Sequence, residues 1–189
     1  MTPYFFGYGS LVNRATHDHP DAQPASVTGW RRIWRHTALR PVAFLTVIPD
    51  PDTSIDGLVA AVPRGDWLAL DEREHAYDRV RAEQVTHGLI PDTDVHLYTI
   101  PDGKHGAPDR THPVLLSYLD TVVQGYLNEF GAVGVRRFFD TTSGWDAPIA
   151  DDRSRPLYAR HQNLTRAQKA LTDDHLNRLG ARLVEPPTL

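Results

Sequence analysis

Two short segments hold the residue types that could do chemistry: Tyr8-Gly9-Ser10-Leu11, at the end of the apolar run Tyr4-Phe5-Phe6, and the carboxylate of Glu74. The first reads as a short buried strand entering a glycine-bracketed turn, a place where backbone N–H groups can be left pointing at a ligand. The second supplies a proton acceptor. A loop that holds an anionic ligand, with one carboxylate beyond it, is enough for proton transfer without a cofactor. Taken locally, each segment also has a plain structural reading. Tyr-Gly is common where a strand meets a turn, and Asp71-Glu72-Arg73-Glu74 reads as a solvated, salt-bridged helix end.

Other constellations carry less. His17-Asp18-His19 precedes Pro20 in a polar loop with no cysteine or third ligand at useful spacing, and reads as solvated loop rather than a metal site. Gly7-Tyr8-Gly9-Ser10-Leu11-Val12 has the first two glycines of a dinucleotide fingerprint, lacks the third, and is not followed by a clear βαβ unit. Ser10 lacks the Gly-x-Ser-x-Gly elbow of a nucleophile. Cysteine is absent, which excludes both a thiol nucleophile and a disulfide framework.

The elements that must position these residues follow from periodicity and turn signals. Short β-like runs span Tyr4 to Tyr8, Ser26 to Thr37, Ala43 to Ile48 and Gly57 to Val62. Pro49-Asp50-Pro51-Asp52 is expected to end one strand before the next begins at Ile55-Asp56-Gly57, so that the two flanking runs pair as a hairpin. Asp66 caps a short helix through Trp67, Leu68 and Leu70 that ends near Glu74. Tyr77 to Val85 reads as a strand with Tyr77, Arg79 and Arg81 on one face, and Asp94 to Ile100 as another. The period then changes. Val114, Leu115, Tyr118, Leu119, Val122, Val123 and Tyr126 predict a core-facing helix from about His112 to Phe130. Thr165 caps a last helix that ends near Gly180, and Gly103 to Thr111 and Thr141 to Arg155 read as loops.

A length of 189 residues favours one α+β domain over residues 1–189. Net charge is −4 with both signs interspersed, so neither nucleic acid nor an anionic membrane is expected as a partner, and a small molecule fits better. The opening Met-Thr-Pro-Tyr-Phe-Phe-Gly lacks a basic region and a long apolar stretch, so the expected location is the cytoplasm.

The chain resembles the gamma-glutamylcyclotransferase-like (AIG2-like) family on Tyr8-Gly9-Ser10-Leu11, Gly29-Trp30-Arg31-Arg32, Ile55-Asp56-Gly57-Leu58-Val59 and Leu70 to Val80 with Glu74. Ser117-Tyr118-Leu119-Asp120, Gly125-Tyr126-Leu127 and Arg155-Pro156-Leu157-Tyr158 add looser matches. The resemblance implies an α+β fold, a small mixed β-barrel flanked by helices with its pocket at one barrel end. It implies conversion of a gamma-glutamyl amino acid, amine or peptide into 5-oxoproline and a free amine. Glu74 would be the general acid/base, and Tyr8, Gly9, Ser10, Leu11, Tyr77 and Arg79 would bind substrate; no cofactor or metal is needed. Many relatives have Gly after the catalytic Glu where this chain has His75, and the segment marking the glutathione-specific branch is not evident between Trp30 and Asp56. The expected substrate is therefore a gamma-glutamyl compound other than glutathione. A non-catalytic binding domain and a hydrolase releasing free glutamate are the alternatives. The oligomeric state is left open.

Overall fold

The computed structural model describes residues 2–37, 39–100 and 112–187. In chain order the strands are β1 (Tyr4–Gly7), β2 (Gln23–His36), β3 (Ala43–Ala61), β4 (Asp78–Arg81), β5 (Val85–Thr86), β6 (Val95–Thr99), β7 (Val114–Leu115), β8 (Thr142–Ser143), β9 (Ile149–Ala150) and β10 (Leu183–Val184). The helices are α1 (Leu68–Arg73), α2 (Leu116–Asp140) and α3 (Arg166–Arg178).

The apolar segment Tyr4-Phe5-Phe6 has Phe5 and Phe6 buried because β1 lies inside the main sheet, whose order is β4-β6-β1-β3-β2-β5. It pairs antiparallel with β3, Tyr4 opposite Ala61 and Gly7 opposite Leu58, and parallel with β6. The long antiparallel pair β2 and β3 runs from Gln23 opposite Val59 to His36 opposite Ala43, and β8 lies parallel along β2. The sheet curls as a half-barrel, with α2 packed on it through Leu119, Val122, Val123, Tyr126, Val135 and Phe138, all fully buried. Removing these side chains from water is the main favourable term in such a core, about 25 cal/mol per Å² of apolar surface. A small parallel sheet, β10-β9-β7, covers one side. No helix among the described residues is long and apolar enough to cross a membrane.

Several expectations are corrected. Pro49-Asp50-Pro51-Asp52 does not separate two strands that pair with each other. β3 continues through it, and both halves pair with β2 across an irregularity between Thr28 and Trp30. Register there passes from Ser54 opposite Thr28 to Pro49 opposite Trp30, so residues 50–53 bulge out, where the missing donor of Pro51 costs no ladder bond. Asp50 secures the bulge by accepting from Arg31 Nε at 2.6 Å, Thr53 Oγ1 at 2.8 Å and the Asp52 N–H at 3.2 Å.

The strand expected from Tyr77 to Val85 is two. β4 pairs with β6, and after Gln84, whose φ is +50°, β5 crosses to β2. The helix expected to end near Phe130 begins later, at Leu116, and continues to Asp140 past an interruption at Gly131, φ +64°, because the apolar stripe resumes at Val135, Phe138 and Phe139. Thr141 to Arg155 contains β8 and β9 rather than loop alone. Thr165 does cap α3, accepting the Gln168 N–H at 3.2 Å while Gln168 Oε1 accepts the Thr165 N–H at 2.9 Å. The loop expected at Gly103 to Thr111 lies outside the described residues.

Candidate active site

β1 delivers Tyr8, and the chain then turns through Gly9 into a single 3-10 turn, Ser10–Val12. The turn closes on itself, with the Val12 N–H donating to Gly9 O and the Asn13 N–H to Ser10 O, both at 3.0 Å. The first N–H groups of such a turn have no acceptor inside it, which is what makes it a place for a ligand oxygen. Three side chains fix its position. Asn13 Nδ2 donates to Thr121 O and to Gln124 Oε1, each at 2.9 Å, tying the turn to α2. The Tyr126 hydroxyl, on the same helix, lies 2.9 Å from Tyr8 O and 2.7 Å from Asp56 O. From the other side His17 Nε2 meets Leu11 O at 3.0 Å.

That histidine is held in one form. Its Nδ1 accepts the His19 N–H at 3.2 Å, so Nε2 carries the proton toward Leu11 O, and burial pushes its pKa down to about 4. The His17-Asp18-His19 segment is thus a brace behind the turn rather than a solvated loop.

Glu74 is placed by α1. Buried Leu70 anchors that helix, the Glu74 N–H closes it on Leu70 O at 2.9 Å, and Tyr77 N–H donates back to Glu74 O at 2.8 Å. The Glu74 side chain is 17% exposed and paired with Arg73 Nε at 3.2 Å. Burial raises its carboxyl above the ordinary carboxylate range, against the opposing pull of Arg73, then Arg160 and His75. This is not the solvated helix end that the local sequence suggests. His75 itself is exposed, with Nδ1 3.2 Å from Glu72 O.

Tyr8, Gly9, Ser10, Leu11, Tyr77 and Glu74 line one recess of about 40 Å³. It adjoins an outer cavity of about 240 Å³ along Ser10, Leu45, Glu74, Tyr77 and Tyr118, which line both. Of the residues named from sequence, only Arg79 is elsewhere. Its guanidinium lies 4.1 Å from the centre of the Trp67 ring and 3.7 Å from Asp71. The alternation that put it beside Tyr77 holds only inside a strand, and β4 starts at Asp78, after Tyr77 has been set by the preceding turn.

Both named phenols are already engaged. The Tyr8 hydroxyl donates to Tyr98 O at 2.5 Å, and the Tyr77 hydroxyl to Leu45 O at 3.0 Å, so they shape the recess rather than offer free protons. The residue missed by sequence reasoning is Tyr118. Its hydroxyl receives the Ser10 backbone N–H, and burial raises its pKa well above the ordinary phenol value, so it stays neutral. A Cβ on Gly9 would stand 2.7 Å from that oxygen. Gly9 is therefore required by the approach of a protein side chain, whereas the sequence suggested the approach of a ligand. In the sequence Tyr118 sits in the apolar stripe of α2, and nothing local separates it from a core aromatic.

The sequence matches the family described as ChaC-like protein over residues 3–184. No curated protein matches it. Among solved structures it is similar to a gamma-glutamyl cyclotransferase, with 12% identity and a TM-score of 0.57 over 92% of this chain and 99% of that one. It is also similar to YkqA from Bacillus subtilis, with 18% identity and a TM-score of 0.56 over 76% of this chain and 56% of that one. Protein loc79017 from Homo sapiens aligns at 13% identity and a TM-score of 0.55, over 91% of this chain and 98% of that one. Identities this low speak to fold alone. The family match covers nearly the whole sequence and the half-barrel is shared with these structures, so the chain belongs to the ChaC-like family and has the gamma-glutamylcyclotransferase-like fold.

Proposed function

We propose that this protein is a cofactor-independent gamma-glutamylcyclotransferase, closing the glutamyl part of a gamma-glutamyl amino acid, amine or peptide on itself to release 5-oxoproline and a free amine. The observation that carries the reading is one desolvated carboxyl, Glu74, sharing a recess with the Gly9 to Leu11 turn. The substrate's α-ammonium must lose a proton before its nitrogen can attack the side-chain carbonyl carbon. Glu74, raised toward neutrality by burial, accepts that proton. The new C–N bond closes a five-membered lactam through an oxyanion, which the Tyr118 hydroxyl, itself oriented by the Ser10 N–H, and the remaining backbone N–H groups of the turn can meet. Protonated Glu74 then returns its proton to the departing amine as the old C–N bond breaks, and the second proton of the attacking nitrogen passes by the same carboxylate to the released amine, which leaves as an ammonium beside the neutral lactam, so no water is consumed. Holding both ends of one molecule together supplies about 7–11 kcal/mol in favourable intramolecular cases, and the protein's task is folding the substrate and moving the proton.

Incubation with a panel of gamma-glutamyl amino acids, amines and peptides, glutathione included, tests this by mass spectrometry of the products. The lactam is the expected product. Free glutamate would mean that Glu74 activates water, and binding without any product would leave a non-catalytic domain.

Arg73 gives a second prediction. The acid limb of kcat/KM follows the loss of a proton from Glu74, and the Arg73 guanidinium holds that pKa down. In Arg73→Met that influence is gone, so the limb should move to higher pH. A pH profile in which wild type and variant share the same acid limb would remove Glu74 as the titrating base.

A further inference from the structure

We propose that Asp152 is a positioning residue for the reaction, the group that aims the Tyr118 hydroxyl into the recess. For its kinetic consequences this rests on the cyclotransferase reading. Asp152 lines neither the recess nor the outer cavity. It is 0% exposed, and among the described residues no cation pairs with it. A carboxylate withdrawn from water in this way is costly unless donors replace the water, and here three of them do. Oδ1 accepts the Ser117 N–H at 2.8 Å, and Oδ2 accepts the Ser117 hydroxyl at 2.5 Å and the Leu157 N–H at 2.9 Å. The Ser117 hydroxyl oxygen accepts in its turn, from the Tyr158 N–H at 3.3 Å.

The topology explains how a residue 35 positions beyond Ser117 reaches it. β7 and β9 run parallel with Leu115 opposite Ala150, so the two strands end side by side, and α2 starts directly after the first of them. Leu115, at the cap position of α2, has no side-chain acceptor for the open N–H groups of the first turn. Asp152, just past β9, supplies one, and its charge suits the positive end of the helix. A cap alone needs a single oxygen, which a neutral serine or asparagine provides. The second oxygen has another task. Ser117 and Leu157 immediately precede Tyr118 and Tyr158, whose rings meet edge to face with 5.0 Å between centres and 86° between planes. One carboxylate thus fixes the backbone beneath both rings, and Trp34, 6.0 Å from Tyr118 and also edge to face, backs the same ring from the core. The hydroxyl at the end of that ring accepts the Ser10 N–H and stands where the oxyanion is proposed to form. Any shift at Ser117 is carried to it.

The test uses Asp152→Asn, which can keep an oxygen for the Ser117 N–H but places an amide NH2 where two donors now converge. With whichever gamma-glutamyl compound gives most lactam with wild type, kcat should fall by about tenfold and KM should stay within about threefold. The split follows because the Tyr118 hydroxyl meets charge that exists only in the transition state. In a Tyr118→Phe background there is no hydroxyl to aim, so adding Asp152→Asn should cost less than about threefold in kcat. A further full tenfold loss there would mean that Asp152 supports the fold in general, and would overturn the inference, as would a rise in KM at unchanged kcat. A second readout needs no turnover. The backbone amide resonance of Ser10 should move in Asp152→Asn in the direction that Tyr118→Phe moves it, and a Ser10 amide left at its wild-type position would overturn the inference. Should Asp152→Asn not fold, Ser117→Ala removes only the hydroxyl link. It should give the same Ser10 displacement with a loss of about threefold in kcat, and no change in either would overturn the inference. No lactam from wild type with any gamma-glutamyl compound would remove the cyclotransferase reading and the catalytic consequence with it, while the Ser10 amide would still decide whether Asp152 places Tyr118.

Discussion

Glu74→Gln should lower 5-oxoproline formation by at least about a hundredfold, the range in which general acid–base groups contribute. The amide keeps the size and most hydrogen-bonding capacity of the carboxyl at the recess, so binding of a gamma-glutamyl compound should survive, and calorimetry on the variant separates chemistry from binding. Activity above about a tenth of wild type would remove Glu74 from the mechanism. A pH signature accompanies the loss. Burial raises the carboxyl's pKa in the folded protein, so the folded state holds the proton more tightly than the unfolded chain does. Stability of the wild type therefore falls as pH rises from the ordinary carboxylate value through the raised folded one. Glu74→Gln lacks that fall, and thermal melts across the window should show the wild type losing ground to the variant.

Gly125→Ala should lower stability and turnover together. A Cβ at this point of α2 would stand 2.7 Å from Asn13 N, 2.8 Å from its Cα and 2.9 Å from its Cβ. The first two are backbone atoms of the turn's exit and the third is fixed directly to them, so none is the yielding end of a flexible side chain. Overpacking costs about 1–3 kcal/mol, and the helix regains up to about 1 from losing a glycine, so a net destabilisation of about 1–2 kcal/mol is expected. For a chain of this length that is about 2–8 °C in Tm. Activity should fall by at least about tenfold, because the backbone that displaces Asn13 also carries Ser10 and Leu11 into the recess. A variant with unchanged melting and unchanged turnover would show that α2 does not set the turn.

The site was legible in part because its two halves announce themselves differently. Tyr8 to Leu11 follows an apolar strand with bracketing glycines, and that pattern alone places a turn at a sheet end. Glu74 has no such mark. Its neighbours Asp71, Glu72 and Arg73 describe an exposed helix end, and only the family resemblance set it apart. It lies in a recess lined with it by residues far away in the chain, Ser10, Leu45 and Tyr118 among them. Tyr118 was unreadable for the opposite reason, since its helical spacing is that of the core it borders. The Pro-Asp-Pro-Asp segment misled because each residue carries a turn signal. Whether such a signal ends a strand or bulges it depends on the partner, and β2 continues unbroken opposite. Arg79 shows how far a period can be extended: alternation predicts faces within a strand, and fails one residue before it begins.

The hydrogen bonds that grip the turn join Asn13 to Thr121 and Tyr8 to Tyr126, spans of 108 and 118 residues. Contacts of such separation must overcome the entropy of closing a long loop before they stabilise anything. On a ribosome, where about 5–20 residues are added each second, the turn leaves the exit tunnel before α2 and waits several seconds for the helix that holds it. Through that interval Tyr8 to Leu11 remains an untethered strand end, and the enzyme acquires its recess only when the second half of the chain arrives.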